Sequence, residues 1–174
     1  MSDLDILVLA RGDSPTRHQH RRAAGFIRLA ELGVPLIPID PESAKPLRKG
    51  WQDVATSDLA RVQDWAMRHP ALAVATGRRC DIFDIEAAHV DRLGVLIEAH
   101  SGPIARSASG GVHLYVKPTG AGCPRLIHEG VHVGEMKGRG GACTAPPSVR
   151  PKGAYRWLLA PWDTEPPKAS HGLL

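Results

Sequence analysis

The chain has 174 residues, 43% of them apolar and 23% charged, proportions that suit one soluble globular domain with a real hydrophobic core. A formal charge of +4 and a sequence pI near 9.2 favour a polyanionic partner, while an aromatic share of 5% argues against a surface built on base-stacking rings. Its three cysteines, Cys80, Cys123 and Cys143, include no C-x-x-C pair and are odd in number, so neither a zinc ribbon nor a disulfide framework is expected.

The apolar patch "ILVLA" (6–10) is short and follows acidic residues, unlike a signal peptide. No stretch approaches the roughly 20 apolar residues that cross a bilayer, so a cytoplasmic protein is expected. Residues 1–15 carry few packing signals and read as an N-terminal extension. From Thr16, "TRHQHRRAAGFIRLAELG" places Ala23, Phe26, Ile27 and Ala30 at helical spacing, with Gly33 as the stop. "VPLIPI" follows as a short strand whose two prolines suit an edge. "DPESAKPLRKGWQD" is a polar loop, and "TSDLARVQDWAMRHP" a second helix capped by Thr56 or Ser57 and ended at Pro70.

"LAVATG" and "CDIFDIE" are the next strands, and "AAHVDRLGVLIEAH" reads as a helix with Gly94 inside it. "PIARSA" and "VHLYVK" form a hairpin about the turn Ser109-Gly110-Gly111. Strands "VHVGEMK", "ACTA" and "AYRWLL" follow, and a Pro-rich tail from Pro161 is expected to fray. Early helices and late strands indicate an α+β domain with a mixed or antiparallel sheet.

Three features carry chemistry. On a strand, Asp84 and Glu86 project from one face, flanked by Ile82, Phe83 and Ile85. Carboxylates that close repel, and burying one unpaired is costly, so a positive partner is required: basic side chains or metal ions. Taken alone, such a pair is commonly a solvated surface. The second feature is the hairpin strand on which His113, Tyr115 and Lys117 share a face. The third is Glu135-Met136-Lys137-Gly138, in which Glu135 and Lys137 share a face and could form an ordinary surface ion pair.

In chain order these segments resemble the catalytic domain of bifunctional primase-polymerases. That family lies in the archaeo-eukaryotic primase superfamily, and the type is carried by plasmids, phages and integrated elements. The resemblance runs from about Ala23 to Trp157 through "LGVPLIPID", "AKPLRKGWQDVAT", "LAVATG", "DIFDIE", "SASGGVHLYV" and "GEMKGRGGACTAPPSVRPKGAYRW". It implies a primase-like core in which an RRM-like or ferredoxin-like mixed sheet carries a metal site beside an N-terminal α/β portion. The implied division is an extension over 1–15, a catalytic domain over 16–160 and a tail over 161–174. One departure stands out: the third acidic position, more familiarly Asp, is Glu135. No helicase segment, zinc-binding stem or helical template-binding bundle is visible, so the chain is either a stand-alone protein or a piece of a larger one.

The resemblance implies a DNA primase/polymerase that adds nucleotides from (d)NTPs to a primer, or de novo, on a single-stranded DNA template during replication of a mobile element. Two Mg²⁺ or Mn²⁺ ions, roughly 3.5–4 Å apart, would be held by Asp84, Glu86 and Glu135. By the same resemblance, His113 contacts the triphosphate and Ser109 donates to a phosphate oxygen. Gly110 and Gly111 let backbone N–H groups approach phosphate, and Lys137 neutralises charge beside the metals. Lys45 and Arg78 are further nucleotide-binding candidates, each in a loop where a solvated cation is the plainer reading.

Template contacts would be sequence-independent and salt-sensitive, from Arg17, Arg21, Arg22, Arg78, Arg79, Arg139, Arg150 and Lys152. Arg21 and Arg22 can equally be the solvated face of the first helix. A separately encoded helicase is an expected partner; a membrane is not. The competing expectations are a catalytically degenerate DNA-binding or replication-accessory module, and a rolling-circle nicking enzyme. The latter wants a His-x-His metal pair and a nucleophilic Tyr; the sequence offers no His-apolar-His pair, and its two tyrosines, Tyr115 and Tyr155, sit in strand patterns.

Overall fold

The computed structural model describes residues 15–169. Helix α1 (Pro15–Glu31) buries Ala23, Phe26, Leu29 and Ala30, three or four residues apart and therefore on one face. Burying Phe26 alone stabilises by about 1.5–3 kcal/mol. The helix ends at Gly33, whose φ of 74° lets its N–H reach the Ala30 carbonyl at 2.8 Å. Strand β1 (Leu36–Pro38) and the short helix α2 (Trp51–Val54) follow, so the expected loop ends in a helical turn.

Helix α3 (Leu59–Arg68) packs on α1 through Val62 and Ala66. Its cap is Asp58, whose carboxylate accepts from the Arg61 N–H at 2.9 Å, rather than Thr56 or Ser57. Three adjacent residues here are all good caps, and backbone geometry chose the last; Thr56 instead accepts from the Asp58 N–H.

Strands β2 (Leu72–Ala75) and β3 (Asp81–Ile85) come next. The expected helix beyond them is broken into a 3₁₀ turn (Ala87–His89) and α4 (Gly94–Glu98), with Gly94 opening the second piece. Strands β4 (Ile104–Arg106) and β5 (Val112–Val116) form the anticipated hairpin. Strand β6 (Arg125–His128), which carries no clear signal in the sequence, pairs with the long β7 (Val131–Lys137). Strand β8 (Ala142–Thr144), the small hairpin β9 (Val149–Arg150) and β10 (Gly153–Ala154), and β11 (Arg156–Leu159) complete the chain.

Two sheets face each other. The larger has six strands in the order β11-β4-β5-β3-β7-β6, and the smaller has three in the order β1-β2-β8. Every pairing among the described residues is antiparallel, so the sheets described are not mixed as the resemblance implied. As expected of a strand with two prolines nearby, β1 lies at an edge.

Between the sheets, Ile82, Ala105 and Tyr115 of the larger one meet Val74, Cys143 and Ala145 and the apolar face of α1. On the far side, Phe83, Ile85, Leu114 and Met136 pack under Leu93, Leu96 and Ile97. The strand β3 therefore has two differently employed faces.

The tail does not fray over the residues described. Arg28 lies 4.0 Å from the centre of the Trp162 ring, the Lys117 N–H donates to the Pro167 carbonyl at 2.7 Å, and Thr164 binds the Ser101 carbonyl. Prolines cannot continue a ladder, yet their rings and carbonyls pack well here. The expected extension lies, apart from Pro15 at the start of α1, outside the described residues. No helix among the described residues is long and apolar enough to cross a membrane.

Candidate active site

Strand β3 is central, and its neighbours bring their side chains to Asp84 by register alone. Asp84 stands opposite His113 of β5 on one side and Glu135 of β7 on the other. Directly opposed residues in an antiparallel pair share a face, so the carboxylates and the imidazole point the same way. Two glycines permit this closeness. A side chain on Gly134 would collide with the Asp84 carbonyl, and one on Gly111 would sit 2.5 Å from the Ile85 carbonyl. Each lets a strand or turn press against β3 where any Cβ would hold it off.

A cleft of about 610 Å³ opens above this point, between the two sheets. Asp84, Glu86, Ser109, Gly111, His113, Lys137 and Arg150 line it, with Ser43, Ala44, Cys143 and Tyr155 on the opposing wall. Glu86 is exposed just beyond the end of β3. Ser109 is exposed in the hairpin turn, its hydroxyl 3.2 Å from that of the buried Ser107.

His113 is buried, yet its Nε2 lies 3.2 Å from Asp84 Oδ1. Cys143 Sγ lies 3.5 Å from its Nδ1 and 3.8 Å from its Nε2, and the Tyr155 ring is 5.7 Å away, centre to centre. Burial would push the imidazole down, but facing Cys143 and Asp84 holds it well above its ordinary value. Burial pushes the Asp84 carboxyl up; the His113 hydrogen bond and charge, with Lys137 beyond, outweigh that and leave it low. Lys137 is half-buried and bonded to Glu135, which outweighs desolvation and raises its ammonium above the usual value.

Not all the candidates converge. Glu135 is adjacent to Asp84 but turned to Lys137 and outside the cleft lining. The Gly110 carbonyl accepts from Arg106 at 2.9 Å, while Lys45 is exposed beside Ser43 and Ala44. Arg78 donates to the Gln52 carbonyl and shares a separate hollow with Arg139, and Arg79 donates to the Leu32 carbonyl. Arg21 is exposed and Arg22 half-buried on α1, while Lys152 is exposed in the β9–β10 turn. Arg150 lines the cleft, but its guanidinium donates to the Pro41 and Glu42 carbonyls and to the Tyr155 hydroxyl. It ties the 41–44 loop to the cleft wall.

Two neighbours of the site had no sequence signal, Cys143 and Tyr155. Both reach His113 from outside its own sheet ladder, and nothing in "ACTA" or "AYRW" announces a cross-sheet contact. Ser148 of the Pro-Pro-Ser loop is structural, since its hydroxyl accepts from the Leu72 N–H and donates to the Leu72 carbonyl.

Fold and cleft together define an α+β domain whose antiparallel strands deliver carboxylates, an imidazole and an ammonium to one opening. The chain belongs to the Prim-Pol family: the model of the N-terminal domain of bifunctional DNA primase/polymerases matches residues 27–171. Membership implies a nucleotidyltransferase of DNA primase/polymerase type, with DNA and nucleotides as substrates. No curated protein matches the chain.

Proposed function

We propose that the cleft over β3 is the nucleotidyl-transfer site of a DNA primase/polymerase core acting on a single-stranded template. The observation that carries this reading is the register triplet Glu135–Asp84–His113 across three central strands, in which Asp84 and His113, with Glu86 and Lys137, line one cleft. Such a volume falls in the range of sites that take a nucleotide-sized ligand.

The donor chemistry fits hard divalent cations. Asp84 and Glu86 offer carboxylate oxygens toward the cleft, and Asp84 keeps its charge because His113 and Lys137 hold it low. With Glu135 as a third carboxylate, these residues would hold Mg²⁺ or Mn²⁺. Bound there, the ions supply activation of the attacking 3′-hydroxyl and stabilisation of the leaving pyrophosphate.

The other residues bind and orient. His113, fixed between Asp84 and Cys143, presents a positive imidazole to the triphosphate. Ser109 offers its hydroxyl, and the Gly110-Gly111 turn offers backbone close to β3. Lys137 counters phosphate charge from the opposite side of Asp84. Arg150, held by the 41–44 loop, shapes the mouth. The exposed cations Arg21, Arg79, Arg139 and Lys152, with Arg22, are the template-backbone contacts in this reading, sequence-independent and weakened by salt. The core corresponds to an archaeo-eukaryotic primase-like unit whose sheet carries the site, and replication of a mobile element is its setting.

Primer extension on a primed single-stranded template, with dNTPs and Mg²⁺ or Mn²⁺, tests this. Extension by the wild type that disappears in Asp84→Ala is the expected result. A wild type that binds DNA but adds no nucleotide with either metal would instead make this a replication-accessory binding module.

A further inference from the structure

Asp84, His113 and Cys143 place a carboxylate oxygen, an imidazole nitrogen and a thiol within 4.8 Å of one another. Two of the three stand side by side on the larger sheet, and the third arrives from β8 of the smaller one. A thiol has no use in a cage for Mg²⁺, which takes oxygen ligands. It is well matched to zinc. Zn–N, Zn–O and Zn–S bonds of about 2.0–2.1, 2.0–2.2 and 2.3 Å at tetrahedral angles put neighbouring ligand atoms about 3.3–3.6 Å apart. His113 Nε2 lies 3.2 Å from Asp84 Oδ1 and 3.8 Å from Cys143 Sγ, close to those edges.

We infer that these three side chains form a site for a thiophilic divalent cation of the Zn²⁺ class, and that its occupation blocks the cleft. Three protein ligands leave the fourth tetrahedral position to the cleft, which all three residues line, so an ion has access and an exchangeable ligand. Binding displaces the Cys143 thiol proton and the His113 Nε2 proton to solvent, leaving a thiolate and a neutral imidazole as ligands, and Asp84 with the Cys143 thiolate balances the charge of the ion. Cys80 does not compete: burial, with Asp81 beside it, pushes its thiol up to about 12, and it does not line the cleft. Because Asp84 and His113 would both be taken, the soft ion excludes hard ions and triphosphate from the same groups. That consequence rests on the nucleotidyl-transfer reading; the binding itself does not.

Co²⁺, a spectroscopic stand-in for Zn²⁺, separates the two. Full-length protein, stripped with chelator and freed of it, is titrated with Co²⁺ as wild type, Cys123→Ser and Cys143→Ala. Cys123 is the exposed thiol and serves as the control. The expected result is a near-ultraviolet thiolate-to-cobalt band with strong visible tetrahedral bands. Both persist in Cys123→Ser; the near-ultraviolet band vanishes in Cys143→Ala, with at least a roughly tenfold loss of affinity. A far-ultraviolet dichroism melt confirms that Cys143→Ala is folded, and Cys143→Ser serves as a second variant. Cobalt that binds without the thiolate band, or a band that survives loss of Cys143, overturns the site. In nucleotide addition with Mn²⁺, Zn²⁺ inhibits the wild type, and its half-inhibitory concentration rises at least roughly tenfold in Cys143→Ala relative to that variant's own uninhibited rate. A bound but non-inhibitory Zn²⁺ overturns the competition, and the cobalt bands still report the site if no addition is detected.

Discussion

Asp81 and Asp84 lie three residues apart on one strand and have opposite lives. Asp81 is fully buried on the face that carries Phe83 and Ile85, and one oxygen accepts both the Thr119 N–H and its hydroxyl at 2.7 Å. Its other oxygen has no partner. Asp84 keeps 37% of its side chain exposed on the cleft face, among an imidazole, an ammonium and a thiol. A carboxylate bound through one oxygen by the Thr119 N–H and hydroxyl, away from the opening, holds the 117–121 loop down. One set among cations and open to solvent is available to ligands. Carboxylate identity alone says little; what faces the group decides its use.

Gly134→Ala breaks the comparison most severely, because β7 can no longer lie against Asp84. It is expected to cost about 3 kcal/mol or more and to abolish nucleotide addition, as read by thermal melting and primer extension. Wild-type behaviour would mean that β7 and β3 are not so closely apposed. Asp81→Ala sharpens the contrast: the Thr119 donors lose their acceptor, costing about 2–3 kcal/mol, or roughly 4–12 °C in Tm. Nucleotide addition per folded molecule at 20 °C should remain near wild type. His113→Ala is expected to weaken nucleotide binding about tenfold and leave DNA binding unchanged, measured by titrating each ligand separately. Equal losses for both ligands would take His113 out of the triphosphate site.

The smallest effect concerns pH and lies on the packed side. His100 follows α4, and burial pushes its imidazole below the ordinary 6.5 despite backbone bonds to Pro103 and Tyr115. Its Nε2 is buried with no partner, so protonation there would strand a charge. The folded state therefore binds fewer protons than the unfolded chain, and stability is complete above about pH 6.5 and falls below it. His100→Gln should make the drop in Tm between pH 7.5 and 5.5 smaller by about 2 °C. An unchanged pH slope would show that His100 is not the group responsible.

Much of this arrangement could be read from residues in order. Alternation on β3, β5 and β7 placed Asp84 and Glu86, His113 and Tyr115, and Glu135 and Lys137 on shared faces, because a two-residue period is local. The turn at Gly110-Gly111 was equally local. What escaped was set by packing between distant segments. Strand β6 has only "RLIH" to mark it and exists because β7 offers it an edge. The β9–β10 hairpin hides among prolines, and residues 161–169 hold to α1 and the Ser101 carbonyl through Trp162 and Thr164, contacts with no periodicity to detect. Cys143 has β2 as its ladder neighbour, and only the stacking of two sheets brings it to His113.

In the nucleotidyl-transfer reading proposed above, strand β3 divides its labour between faces, with Asp84 serving the reaction rather than the fold. The most direct measurement is single-turnover nucleotide addition by Asp84→Asn, with its thermal melt beside that of Asp81→Ala. The expected rate is at least roughly 100-fold below wild type, with Tm within about 3 °C of it. A variant that still adds nucleotides at the wild-type rate, or that melts as early as Asp81→Ala, would contradict that division.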